Sequence, residues 1–227
     1  MTPRLTPAAL AVSLVIASSD GLAADPSDDL FELDRLRVKI TSDLPYLEVN
    51  HNGRKILVMR HQDPGHKIVA PYDKTSRDCP PFCVQPMRLA PGVETIGELE
   101  LLDYIKRRNA GDGDVLLIDS RTPEWLRQGT IPSAENIPYT RLDRSTATPD
   151  AISALLQLEF NAAYGQGLWD FSSAKTLVFF CNGPWCGQSP TSIRTLLGLG
   201  YPPHKLKWYR GGLQTWEQFG FTTIKPE

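Results

Sequence analysis

The sequence has little of what marks a nucleic-acid or membrane protein. Lys and Arg total 24 against 26 Asp and Glu, and no long block of either sign occurs. With a formal net charge of -2 and a pI near 6.1 there is no cationic surface for a phosphate backbone to meet, so no nucleic-acid partner is expected. Histidine is sparse and scattered, at His51, His61, His66 and His204. Cysteine is sparse too, at Cys79, Cys83, Cys181 and Cys186. Their C-x3-C and C-x4-C spacings differ from the C-x2-C pairs usual in structural zinc sites, so no metal is expected. No organic cofactor is implied. Past the first residues no apolar run is long enough to cross a bilayer. No internal repeat or low-complexity segment is visible.

What is present suits one medium globular domain with an appendage: 227 residues, 41% hydrophobic and 22% charged. Residues 1–24 read as a secretory signal peptide. Arg4 gives a weakly positive start, Ala8 to Ala17 is mostly apolar but short, and Gly21-Leu22-Ala23-Ala24 offers small residues for cleavage before Asp25. An uncleaved anchor is the alternative. The expected setting is periplasmic or secreted, with no membrane span in the mature chain. That setting permits disulfides, and four cysteines allow three pairings, with local bridges the simplest. Cys79 and Cys83 then staple a proline-rich loop, or form a second redox pair facing Cys181.

Residues 25–92 form an N-terminal extension. Its opening is polar. Leu44–Val49 and Lys55–Arg60 flank His51-Asn52-Gly53, and an Asn-Gly step between β-prone runs predicts a hairpin. Residues 61–92 are rich in Pro and Gly and predict loop, with a short strand at Lys67–Ala70. Residues 93–227 alternate. Thr95-Ile96-Gly97-Glu98 has the form of a capping box, and a helix to Arg108 follows with Ile96, Leu99, Leu102 and Ile105 on one face. Strands are predicted at Asp114–Asp119, Lys175–Phe180 and Lys205–Tyr209. Helices are predicted at Thr122–Gln128, Asp150–Asn161, Pro190–Leu197 and Leu213–Phe219, with Ile131–Pro138 irregular. Strands alternating with helices imply a mostly parallel sheet covered on both faces. Ligands of such sheets bind beyond the carboxyl ends of the strands.

Cys181 occupies such an end. The apolar run Leu177-Val178-Phe179-Phe180 delivers it to the loop Asn182-Gly183-Pro184-Trp185-Cys186-Gly187-Gln188-Ser189, which leads into a helix. Backbone N–H groups and a helix N-terminus favour a thiolate there, so Cys181 is the candidate nucleophile. Pro184 removes one amide from the loop, and Trp185 is placed to wall the pocket against water.

The alternating part resembles the rhodanese family. Ile118-Asp119-Ser120-Arg121-Thr122-Pro123-Glu124-Trp125 is similar to its "DxR…E(F/W/Y)" motif, and Gly129 to Pro138 to "GHIPGAxNIP" with Thr130 in place of His. Val178 to Cys181 resembles the strand carrying the active cysteine. Leu197 to Tyr201 and Tyr209 to Trp216 resemble the closing "LxxxGY" and "YxGGxxxW" motifs. The likeness runs in order over about residues 93–222. It implies an α/β, rhodanese-like three-layer fold with a mostly parallel sheet, here joined to an N-terminal β-hairpin extension. It also implies a sulfurtransferase: a Cys181 persulfide takes sulfane sulfur from thiosulfate, polysulfide or another persulfide and hands it to a thiol or other acceptor.

The loop departs from the family pattern. It is longer than usual and holds no basic residue before Arg194, so anion recognition falls to loop amides and the helix dipole. Asn182, Gly183, Trp185, Gly187, Gln188 and Ser189 are the expected substrate-binding residues, with Arg121 and Arg210 beside them. Arg121 reads alternatively as half of a buried ion pair with Asp119, and Arg210 as a solvated arginine. Cys186 is a candidate resolving thiol, a static disulfide partner or a small buried filler. A related phosphatase reading needs an arginine where Gly187 stands. The other open reading is a non-catalytic rhodanese-fold binding or redox module using Cys181 and Cys186. In that reading the extension docks a periplasmic protein partner.

Overall fold

The computed structural model describes Leu33 and residues 35–226, so the expected signal peptide lies outside the described residues. Leu36–Glu227 form one compact unit. In chain order its strands are β1 (Leu47–His51), β2 (Arg54–Val58), β3 (Glu94–Ile96), β4 (Val115–Asp119), β5 (Glu135–Asn136), β6 (Ala163–Gly165), β7 (Leu168–Asp170), β8 (Thr176–Phe180) and β9 (Leu206–Tyr209). The helices are α1 (Glu98–Asn109), α2 (Pro123–Leu126), α3 (Pro149–Leu158), α4 (Gln188–Gly198) and α5 (Gly212–Gln218).

The expected hairpin is present. β1 and β2 pair antiparallel with His51 opposite Arg54. Asn52 and Gly53 turn the chain at φ 51° and 81°, the left-handed region that a two-residue hairpin loop requires. Val49 and Val58 point inward.

The main sheet runs β3-β9-β8-β4-β5, and every pair in it is parallel. Successive side chains along a strand face opposite sides, which divides the interior into two cores. Leu116, Ile118, Leu177, Phe179 and Trp208 face α3 and α4. Leu117, Val178, Phe180 and Tyr209 face Leu101, Leu102 and Ile105 of α1 and Leu213 and Trp216 of α5. Val49, Val58 and Tyr72 of the extension belong to this second core. The layered α/β architecture and the hairpin agree with the sequence expectation.

Several local expectations need correction. No strand forms at Lys67–Ala70, where Ile68 alone is partly sheltered. Thr95 and Ile96 pair with β9 instead of capping α1, so the helix starts later, on Gly97, whose N–H meets Glu100 Oε2 at 3.0 Å. Leu99 is 50% exposed, and Leu101 takes its place in the core. Ile131–Pro138 is not wholly irregular, because Glu135 and Asn136 add a parallel edge to β4. The β6–β7 hairpin was not anticipated; Gln166 and Gly167 at its turn both have positive φ.

Candidate active site

β8 ends at Phe180, and Cys181 follows at the carboxyl edge of the sheet with only 2% of its surface exposed. The chain then turns back through Asn182 and Gly183 into α4, which begins at Gln188, earlier than expected. Pro190 falls in its first turn, where a missing N–H costs no helical hydrogen bond. The turn is closed by the Cys186 N–H donating to Gly183 O at 2.9 Å.

The opposite wall is α5. The Leu213 N–H donates to Cys181 O at 3.0 Å, and the Gln214 N–H to Asn182 O at 2.8 Å. Gly212 makes this approach possible. Its φ is 55°, and a Cβ there would stand 2.3 Å from Cys181 O and 2.7 Å from Gly183 N. The double glycine of the closing motif is thus a fit of backbone against the Cys181 loop.

Burial acts to raise the Cys181 thiol. Hydrogen bonds from the Cys186 side chain, from the N–H and hydroxyl of Ser189 and from the Asn182 N–H outweigh it, and the thiol sits below the ordinary cysteine value. Cys186 goes the other way. Burial, its hydrogen bond to Cys181 and the negative charge there push it well above the ordinary value. Both cysteines are free and buried, and the hydrogen bond between their side chains moves the two thiols in opposite directions. Asn182 Nδ2 lies 3.9 Å and Gln188 Oε1 3.6 Å from Cys186 Sγ. The Ser189 hydroxyl meets Ser120 Oγ at 3.1 Å, so the end of β4 also braces the site.

Trp185 does not stand alone. Its indole N–H donates to Gln214 Oε1 at 2.6 Å, and Gln214 Nε2 donates to Tyr72 O at 3.1 Å. Phe82 meets Trp185 edge-on with centroids 5.4 Å apart, and the Arg77 guanidinium lies 4.0 Å from the Trp185 ring centre. Gln85 N–H donates to Pro184 O at 2.8 Å. Extension residues 72–85 therefore lie across the loop as a strap. A disulfide joins Cys79 to Cys83 within it, with Cα atoms 4.6 Å apart, as the simplest sequence pairing expected.

The structure separates the expected substrate-binding residues into two groups. Asn182, Gly183, Trp185, Gly187, Gln188 and Ser189 come together around Cys181 and Cys186. Arg121 does not open onto a cleft: it is fully buried. Its guanidinium donates to both carboxylate oxygens of Asp119, to Gly129 O and to the Tyr72 hydroxyl. Burial works against its charge, but Asp119 holds it protonated. Thr130, at the position where the family motif has His, donates its hydroxyl to Asp119 Oδ2 at 2.7 Å and completes this cluster. Arg210 is partly buried and donates to Gln85 O from Nε and Nη2. Sequence reasoning missed Ser120, Gln214, Tyr72, Arg77 and Phe82. Only Ser120 and Gln214 lay inside recognised motifs; the other three reach the loop from distant sequence.

The sequence model described as "Rhodanese-like domain" matches residues 102–219. The chain belongs to the rhodanese-like domain family. A Schizosaccharomyces pombe protein named "Putative thiosulfate sulfurtransferase, mitochondrial" is 26% identical over 104 residues, spanning 46% of this chain and 67% of that protein. Among solved structures, the human single-domain sulfurtransferase TSTD1 is 25% identical with a TM-score of 0.35, covering 56% of this chain and 96% of its own. The BH2092 protein of Bacillus halodurans is 19% identical with a TM-score of 0.41, covering 58% and 77%. Within this rhodanese-like domain the matched span holds β4, β8, β9 and the Cys181 loop, while the strap lies before it.

Proposed function

We propose that this rhodanese-like protein is a sulfurtransferase working through a persulfide on Cys181. The observation that carries the reading is the thiol of Cys181, held at a strand end and favoured as thiolate by Ser189, Asn182 and Cys186. Family membership and the name of the yeast relative support the same class. The Cys181 thiolate attacks the sulfane sulfur of a donor. The donor's S–S bond breaks, and its electron pair leaves with the remainder, which is sulfite when the donor is thiosulfate. An acceptor thiolate then attacks the outer sulfur, becomes a persulfide and returns Cys181 as thiolate. Ser189 and the α4 N-terminus stabilise the anion at each stage.

The test is incubation with thiosulfate and with inorganic polysulfide, followed by mass spectrometry and by transfer to a small thiol. Wild type should gain one sulfur on Cys181 and pass it on; Cys181→Ala should do neither. Failure to form a persulfide with any donor would sink the reading.

The contact between the two thiols favours a resolving role for Cys186. The Cys186 thiol gives its proton to the outer sulfur of the Cys181 persulfide anion as its own sulfur attacks the inner one, the persulfide S–S bond breaks, a Cys181–Cys186 disulfide forms, and hydrosulfide leaves with the electron pair. A dithiol reductant must then restore both thiols. The signal-like residues 1–24 and the strap disulfide support a periplasmic or secreted setting.

A further inference from the structure

The loop that holds Cys181 contains no cation between residues 181 and 189. Two arginines near it are already committed. Arg121 is buried against Asp119, and Arg210 donates twice to the Gln85 carbonyl. Arg77 of the strap is different. Its Nη2 donates to Pro71 O at 2.6 Å, but its Nε is buried with no acceptor. Among the described residues no carboxylate pairs with it.

The charge is held in place by rings. The Arg77 Cζ lies 4.0 Å from the Trp185 centroid, 5.7 Å from Phe82 and 5.9 Å from Trp125. The ring contacts hold the guanidinium without consuming its N–H groups, and with Nη2 given to Pro71 O and Nε buried, Nη1 is the edge left to meet an oxyanion. Arg77 also lines a cavity of about 320 Å³ with Lys74, Ser76, Asp78 and Phe82. Two cations face one carboxylate there, so the cavity is net positive.

We propose that Arg77, aided by Lys74, is the anion-recognition group of this protein, and that it sets donor specificity for small sulfur oxyanions such as thiosulfate. The extension thereby supplies the charge that the loop lacks. This rests on the sulfur-transfer reading above for its kinetics, but binding can be measured apart from turnover.

The experiment compares thiosulfate with an uncharged donor, a dialkyl trisulfide, in wild type, Arg77→Gln, Arg77→Lys and Lys74→Gln. For thiosulfate, Arg77→Gln should lower kcat/KM by about tenfold or more, mainly through KM, and weaken its dependence on ionic strength. The loss with the trisulfide should be several-fold smaller, so the ratio of the two kcat/KM values falls. Arg77→Lys should recover part of the loss. Lys74→Gln, at an exposed position, gives a smaller loss in the same direction without touching the stacked rings. Equal loss with both donors, or no loss with thiosulfate, overturns the proposal. Calorimetric titration of thiosulfate into Cys181→Ala, with and without Arg77→Gln, separates the two readings. Arg77-dependent binding without turnover in wild type upholds the anion site and rejects sulfur transfer. Arg77-independent binding, or none, rejects the anion site.

Discussion

The sulfur of Cys181 lies 3.4 Å from the backbone carbonyl oxygen of Cys186. A protonated thiol has an acceptor in that carbonyl. A thiolate finds only lone pairs there and relies on the Cys186 thiol, Ser189 and Asn182. The two states of Cys181 therefore use different groups of the same loop.

Removal of the Cys186 side chain should shift the pH dependence of persulfide formation. The depressed Cys181 value means the thiolate persists to lower pH than in a free cysteine, so the wild-type rate levels off early as pH rises. In Cys186→Ala one donor to the thiolate is gone, and the inflection should move up toward the ordinary cysteine value. Cys186→Ser keeps a donor and should stay near wild type, with the Cys181 persulfide still detectable. Rates of sulfur loading from pH 5 to 10, read by mass spectrometry, check both. An unchanged inflection in Cys186→Ala would refute the coupling.

Gly212→Ala should cost about 2–4 kcal/mol, because strain at positive φ adds to a collision with the loop backbone. Urea unfolding gives the number. The same variant should form persulfide slowly even where it remains folded, since Cys181 O and Gly183 N are the atoms displaced.

Asp119→Ala should cost about 3–5 kcal/mol by leaving the buried Arg121 guanidinium without its carboxylate. Arg121→Leu together with Asp119→Leu should recover part of that loss in a double-mutant cycle. An Asp119→Ala variant as stable as wild type would show that the pair is not closed in solution.

Cys79→Ser with Cys83→Ser should lower stability by about 2 kcal/mol, the unfolded-chain entropy of a loop this short. Alkylation of the wild-type protein unfolded in denaturant without reductant should label Cys181 and Cys186 alone. Label on all four cysteines would remove the disulfide from the account.

The sheet and the place of Cys181 at a strand end were legible in the sequence because their signals are local. Leu177 to Phe180 is apolar throughout, and the turn to Cys181 is written in adjacent residues. The ion-pair alternative for Arg121 was legible too, since Asp119 is two residues away. The strap was not. Arg77 and Phe82 reach Trp185 across about a hundred residues, and neither has a periodic neighbour to mark it. Even the α1 face shifted for a tertiary reason: pairing with β9 claimed Ile96 for the sheet and moved Leu101 into the core.

The second core has a bearing on modularity. Val49, Val58 and Tyr72 fill it together with α1, α5 and the sheet, yet the family match starts only at residue 102. Kinship and foldability thus have different borders in this molecule. A cassette cut at the border of kinship would carry a bare apolar flank and would leave Trp185 without its cover, so protein engineers who transplant this catalyst must move the chain from Leu36 onward as one piece.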